Sequence, residues 1–113
     1  MTTTRRLAAR LSPRASIGPA LGVIGGAHFF ARRFHEAAPK LLLAIQEDSS
    51  YVQPYRYLAA CYAHIGRLDE ARTIVARLRA ITPAVIPDAD YLRNADHCEL
   101  YLSSLRLAAG EGT

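Results

Sequence analysis

The feature that most constrains the fold is a five-residue phrase that recurs 34 residues later. Residues 33–37 read RFHEA and residues 67–71 read RLDEA. The same shift places Ile24 on Leu58, which agree in size and polarity. A period of this length is typical of stacked helix–turn–helix units, in which each unit buries its apolar face against the next. The chain is therefore expected to contain at least two such units.

Residues 54–83 show the unit most clearly. An apolar face with helical spacing is formed by Tyr55, Leu58, Tyr62 and Ile65. Gly66 follows, and a glycine can adopt the positive φ that often ends a helix. The next segment opens with acidic residues, which suit a helix N-terminus, and its apolar face is continued by Ala71, Ile74, Val75 and Leu78 before Pro83. The pattern predicts two short helices folded back on each other.

The first unit contains an interruption at Pro39. This proline lies beyond the first turn of the predicted helix, where proline removes a backbone donor and crowds the preceding carbonyl. We therefore expect this helix to start late or to bend at Pro39.

The pattern changes after Pro83. Asn94 is predicted to be an N-cap, and an apolar stripe follows it, formed by Cys98, Tyr101, Leu102, Leu105 and Ala108. Gly110 comes directly after this stripe. One amphipathic helix is predicted, and its simplest role is to cover the exposed face of the last unit, as terminal caps do in repeat proteins.

Charge divides the chain into two parts. Its net charge is +4, yet six arginines precede the first acid, Glu36, and from there acidic residues outnumber basic ones. The N-terminal residues are expected to be a disordered basic leader, with an organelle transit peptide as the alternative. No run approaches the roughly 20 apolar residues of a membrane span. Two cysteines are too few for a disulfide framework, which favours a reduced, cytoplasmic setting.

These features resemble tetratricopeptide repeat (TPR) proteins. The second unit matches the family pattern well, with Tyr55 where the family prefers Trp, and the first matches it less well because Ser49 replaces the closing proline. The positions predicted to pack as the repeat signature are Gly25, Ala37, Leu41, Tyr55, Leu58, Ala59, Tyr62, Gly66, Ala71, Val75 and Pro83.

The resemblance implies an all-α fold, a TPR-like stack of two α-hairpins with a C-terminal capping helix. The predicted division is a disordered basic leader (1–17), TPR-like repeat 1 (18–51), TPR repeat 2 (52–85), a connection and capping helix (86–109) and a tail (110–113). Two repeats are fewer than the roughly three normally needed for stability. The exposed face of the first helix, near Leu21, Ile24 and Phe29, is therefore expected to form a homodimer or to dock onto an upstream repeat.

A second resemblance covers residues 21–109. Segments such as AHFFARRFHEA, PYRYLAACYAHIGRLDEAR and YLRNADHCELYLSSLRLA look like the C-terminal end of certain bacterial signalling proteins that begin with a class III adenylate/guanylate cyclase domain. The metal-binding aspartates and nucleotide pocket of such a domain are not found in this sequence. The resemblance implies a detached C-terminal region without cyclase activity, and the alternative is a part of a cyclase whose catalytic domain lies outside this chain.

The TPR resemblance also implies where a partner binds. First helices line a groove in this family, and the corresponding positions are Gln53, Arg56, Ala60, Ala63 and His64. Arginine can hold a carboxylate through two parallel hydrogen bonds. Since alanine stands at position 60, where chaperone-binding members use asparagine, we expect a protein or peptide partner other than a chaperone tail.

No motif predicts an enzyme, a cofactor or a metal site. His64 and Cys61 are three residues apart, but a zinc site needs three or four converging ligands. His97 and Cys98 are adjacent on a predicted helix, so their side chains point about 100° apart. The leading hypothesis is a non-catalytic protein-interaction module. Nucleic-acid binding through the arginine-rich leader is a weaker alternative, because the folded part is nearly neutral.

Overall fold

The computed structural model describes residues 13–87 and 92–110, with side chains described from residue 19 onward. Within these ranges the chain forms five α-helices and no strand, as the all-α prediction requires. The helices are α1 (Pro13–Phe30), α2 (Phe34–Glu47), α3 (Gln53–His64), α4 (Leu68–Arg79) and α5 (Ala95–Ala108). Helices α1 and α2 form one hairpin, and α3 and α4 form the next. Between the two hairpins, α3 contacts α2 more extensively than α1.

The turn of the second hairpin is built around Gly66. Its φ is +82°, a left-handed conformation that glycine adopts without steric cost. The N–H of Arg67 donates to the carbonyl of Tyr62 over 2.8 Å, which closes the end of α3 by a hydrogen bond spanning six residues. This arrangement is the Schellman motif, which satisfies carbonyls that the helix leaves without partners.

The turn of the first hairpin has the same geometry at the positions 34 residues earlier. Arg32 takes the place of the glycine with φ +62°, and the N–H of Arg33 donates to the carbonyl of His28 over 2.8 Å. Arg33 itself has φ −96° and ψ 64°, against −95° and 63° for Arg67. The period read from the sequence therefore holds at the level of the backbone.

The core lies where the helices of the two hairpins meet. Ten of the predicted signature positions pack within the hairpins or shape their turns, and Pro83 is exposed beyond the end of α4. The largest side chains that are almost completely buried include Phe29, Leu41, Ile45, Tyr55, Leu58, Leu78, Tyr101 and Leu105. At Gly25 the two helices of the first hairpin approach so closely that an added Cβ would lie 2.6 Å from Leu41 Cδ2.

The first helix begins earlier than expected. It starts at Pro13, so residues 13–17 are helical although they were assigned to the disordered leader. Proline suits the first position of a helix, because its φ is already helical and its missing N–H has no partner there. The rest of the predicted leader, residues 1–12, lies outside the described residues.

Of the two alternatives expected for α2, the late start is not observed, and the bend at Pro39 stays a prediction. The helix begins at Phe34 and continues through Pro39 to Glu47. The carbonyl that a residue at position 39 would bond belongs to His35, and both residues are exposed. Water can therefore satisfy that carbonyl, which lowers the cost of the proline.

Helix α5 begins where the sequence predicted. The side chain of Asn94 accepts hydrogen bonds from the backbone N–H groups of Asp96 and His97, over 2.9 and 3.2 Å. The helix covers the second hairpin from the side of α3, with few contacts to α4 and to α1. Residues 88–91 of the predicted connection and residues 111–113 of the predicted tail lie outside the described residues.

Over the described parts of the chain, none of the helices has the length and apolar character needed to cross a bilayer.

Candidate protein-binding groove

Helix α5 lies against one face of the two first helices, α1 and α3. We call this face the first-helix groove and define it by Phe29 and Phe30 of α1 and by Tyr57, Ala60, Ala63 and His64 of α3. Ala60 is completely buried and Ala63 is 7% exposed. Ala60 lies one helical turn from both Tyr57 and His64, which themselves contact α5.

The centre of the groove is aromatic. Tyr101 of α5 is fully buried, with its ring centroid 5.0 Å from that of Tyr57 and 6.2 Å from those of Phe29 and Phe30. Most of these rings meet edge to face or tilted, the arrangement in which the positive edge of one ring meets the negative face of another. Such pairs stabilise the contact beyond the burial of their area.

Two further contacts fix α5 at equivalent positions of the two repeats. His97 stacks on Phe30 with ring centroids 4.7 Å apart, and Ser104 Oγ hydrogen-bonds His64 Nε2. Phe30 and His64 are related by the 34-residue period. His97 and Ser104 are separated by seven residues, about 10.5 Å along a helix, which matches the roughly 8–10 Å between packed helices. One helix can therefore contact both first helices at the same repeat position.

His64 connects three helices. Its ring stacks on Phe34 of α2 at 4.3 Å with an interplanar angle of 4°, while its Nε2 contacts Ser104 of α5. The Ser104 hydroxyl also donates to the carbonyl of Leu100. Both contacts of Ser104 are satisfied when Nε2 of His64 carries the proton and donates it. Burial, and secondarily the charge of Arg32, lowers the pKa of His64 below its ordinary value.

An open cleft adjoins the groove beside α1. Its volume is about 280 Å³, and it is lined by Gly22, Val23, Gly26, Ala27, Phe30, Tyr51, Gln53 and Tyr57. Val23 and Ile24 are 68% and 43% exposed, so α1 presents apolar surface to solvent. The expectation that Phe29 belongs to this exposed face is wrong, because its ring is fully buried among Phe30, Phe34 and Tyr57.

The cysteine that adjoins the groove is not a reactive thiol. Burial raises the pKa of Cys61 to about 12, so at neutral pH it is a protonated, apolar side chain. In the described parts of the chain, no three His, Cys, Asp or Glu side chains are grouped so that they could hold a metal ion.

The geometry of two hairpins in register agrees with the comparison to known families. The family model for the tetratricopeptide repeat matches residues 31–95, more than half of the chain. The chain belongs to the tetratricopeptide repeat family. No curated protein and no solved structure is significantly similar to it. Domains of the TPR type typically bind protein partners.

In this TPR domain the five groove positions predicted from the sequence have different environments. Gln53 lines the open cleft, Ala60 and Ala63 are buried on the α3 face next to α5, and His64 bonds Ser104. Their contact with a partner stays a prediction.

Arg56 is engaged within the chain. Its Nη2 donates to the carbonyl of Ala84 over 2.6 Å, and its Nη1 donates to Gln53 Oε1 over 3.1 Å. The first bond fastens the segment after α4 to the start of α3. Each of these two nitrogens carries a second N–H group, and the carboxylate contact suggested by the sequence stays a prediction.

Sequence reasoning missed two aromatic side chains that define the groove of the TPR domain, Phe30 and Tyr57, and it placed Tyr101 on an apolar stripe without its contact to them. The 34-residue shift pairs Phe30 with His64 and so contained a signal for the first of them. Tyr57 is adjacent to a predicted groove position rather than at one. Its role depends on α5 crossing α3, which no local pattern reveals.

Proposed function

We propose that this chain is a non-catalytic TPR module that binds a segment of another protein on the face formed by α1 and α3. The observation that carries the proposal is the first-helix groove itself. It is rich in aromatic rings, it already holds a helix, and it continues into an open apolar cleft of about 280 Å³. Aromatic side chains supply much of the affinity at protein interfaces, because they bury large area with few rotatable bonds.

The pair formed by Ser104 and His64 supports a non-catalytic role. In a Ser–His pair, the serine becomes a nucleophile when the histidine nitrogen can accept its proton. Here the Ser104 hydroxyl donates to the Leu100 carbonyl, so its contact with His64 Nε2 is satisfied when that nitrogen carries a proton and donates it. The contact joins two helices rather than activating a nucleophile.

A selection experiment tests the module. A displayed library of random peptides is selected on the immobilised chain, and the selected peptides are then measured against two variants by fluorescence anisotropy. Ala27→Glu places a charge in the open cleft, whereas Ala76→Glu makes the same change at an exposed position of α4. We expect Ala27→Glu to weaken binding at least tenfold and Ala76→Glu to leave it unchanged. Equal binding by all three proteins, or no selected peptide, contradicts the proposal.

We also propose that a second copy of the chain can cover α1. Val23 and Ile24 form an apolar surface next to the cleft, and two repeats alone bury less surface than the three that usually suffice. Sedimentation equilibrium of the wild type and Val23→Glu tests this. A dimer of the wild type that dissociates in the variant supports the proposed self-association. A wild type that remains monomeric over a 100-fold range of protein concentration contradicts it.

The finer proposal is a relation to cyclase-type signalling proteins of bacteria, acting in the cytoplasm. It is supported by the resemblance of residues 21–109 to the TPR-like ends of those proteins. In this proposal the chain contributes binding and no catalysis. A cyclase assay of the purified chain with ATP and GTP is expected to yield no cyclic nucleotide, and product formation would contradict the non-catalytic assignment.

A further inference from the structure

Helix α5 does not pack as the next helix of the stack. Of the preceding hairpin, α3 contacts the second helix, α2, more extensively than the first, α1. A continuing repeat would place α5 mainly on α4 by the same rule. Instead α5 contacts chiefly α3, and it reaches α1 through His97 and Tyr101. It therefore occupies the surface on which the proposed partner would bind.

The contacts of α5 have the pattern of a helix bound in a groove. Its buried side chains are Leu100, Tyr101, Ser104, Leu105 and Ala108, spaced by one, three and four residues along one stripe. Recognition of an amphipathic helix in an apolar groove uses anchors at such spacings. The large anchor Tyr101 enters the aromatic cluster, and the small Ser104 allows close approach to His64.

The occupant is a short helix that depends on the groove. It has 14 residues, a length at which an isolated helix is marginal in water. It is joined to α4 by residues 80–94. Because of this covalent connection, the effective concentration of α5 at the groove is high, and no additional contacts are needed to achieve it. An untethered helix with the same side chains must compete with α5 for the groove. The apparent affinity of the untethered helix is therefore lower when a smaller fraction of the molecules has an open groove.

We infer that α5 is a tethered internal ligand, and that the partner of this domain is an amphipathic helix that replaces it. The inference deepens the proposed function and rests on it. The partner helix presents an aromatic residue followed by a small residue three positions later, a leucine four positions later and a small residue seven positions later, all counted from the aromatic residue. These reproduce Tyr101, Ser104, Leu105 and Ala108.

The test uses the full chain and a fluorescein-labelled peptide of residues 92–110, measured by fluorescence anisotropy. Tyr101→Ala and His97→Ala in the chain weaken its own helix, and both should bind the wild-type peptide more tightly than the wild-type chain does. We expect about tenfold tighter binding for Tyr101→Ala and at least threefold for His97→Ala. A peptide that itself carries Tyr101→Ala should lose binding to both chain variants, because it lacks the aromatic anchor.

Controls separate competition from general loosening. Glu99→Ala changes an exposed residue of α5 and should bind the peptide as the wild-type chain does. Circular dichroism establishes that each variant is folded, and His97→Ala, which removes a half-buried ring, serves if Tyr101→Ala unfolds. Folded variants that bind the peptide no better than the wild type overturn the inference and make α5 a permanent cap. If library peptides still require the cleft in that case, the proposed function stands without the inference.

Discussion

At the residue scale, the two inter-helix turns show one backbone geometry with two different residues. Gly66 and Arg32 both adopt positive φ at the same repeat position. A residue with a Cβ loses about 1–2 kcal/mol in this conformation. The fold therefore tolerates strain at Arg32, and the hydrogen bonds that close each turn hold the backbone in place.

Replacing these residues should change stability in opposite directions. We expect Gly66→Ala to lower the free energy of unfolding by about 1 kcal/mol. The cause is conformational, since among the described residues no atom beyond the two chain neighbours lies within 4 Å of the added Cβ. Arg32→Gly should raise the free energy of unfolding by about 0.5 kcal/mol. This value is the conformational strain that the substitution relieves minus the additional backbone entropy that a glycine loses on folding. Urea unfolding measures both, and a stabilising Gly66→Ala would show that this turn differs in solution.

Glycines in α1 serve a second purpose, the close approach of helices. An added methyl at Gly25 would overlap the fully buried Leu41, whereas at Gly22 it would lie 3.2 Å from the half-buried ring of Tyr51. We expect Gly25→Ala to cost about 1–3 kcal/mol by overpacking, and Gly22→Ala to cost less. Thermal and urea unfolding of the two variants provide the comparison, and equal costs would contradict the packing argument.

At the element scale, α5 is stabilised by a local N-cap and by packing on the first-helix groove, which is distant in sequence. Asn94 satisfies two backbone N–H groups at its start, which is the standard function of an N-cap. The rest of its stability comes from Tyr101 and its neighbours in the groove. Helix α2 has no side-chain N-cap hydrogen bond and contains Pro39, so it depends more on tertiary packing, to which Leu41 and Ile45 contribute.

Loss of the cap should destabilise α5. We expect Asn94→Ala to reduce the free energy of unfolding by about 1 kcal/mol, because the N–H groups of Asp96 and His97 lose their acceptor. Arg93→Ala, at an exposed position before the helix, is the matched control. Amide hydrogen exchange should show faster exchange in residues 95–108 of the Asn94 variant only, and unchanged exchange would contradict the role of the cap.

At the scale of the whole molecule, the two repeats and α5 meet at His64. Because burial and Arg32 lower its pKa in the folded state, the unfolded chain binds more protons near and below pH 6.5. The contribution of His64 to stability is therefore complete above pH 6.5 and decreases as the pH falls.

This coupling predicts a pH dependence that one substitution reduces. We expect the free energy of unfolding to decrease between pH 7.5 and 5, and to decrease less in His64→Gln. His35→Gln removes an exposed imidazole of α2 and accounts for the general effect of losing a histidine. Urea unfolding at several pH values measures the slopes. Identical slopes in the two variants would contradict the coupling.

Much of the repeat architecture could be predicted from the sequence. The 34-residue period, the glycine turn, the N-cap at Asn94 and the apolar faces are local patterns, and each reports a requirement of helix geometry or of small residues where helices touch. A late start of α2, one of two alternatives, and an exposed Phe29 were expected and are not observed, because both depend on which neighbours cover a residue.

The amino-acid sequence by itself determined two helical hairpins, their turns and a final amphipathic helix, since these follow from spacing along the chain. Only the tertiary structure decided where that final helix lies and that Arg56 is engaged with Ala84. The reason is physical: an apolar stripe specifies that a face must be buried, but it does not specify against which surface. Here the aromatic rings of α1 and α3 provide that surface, and they do so jointly only after the two hairpins have packed.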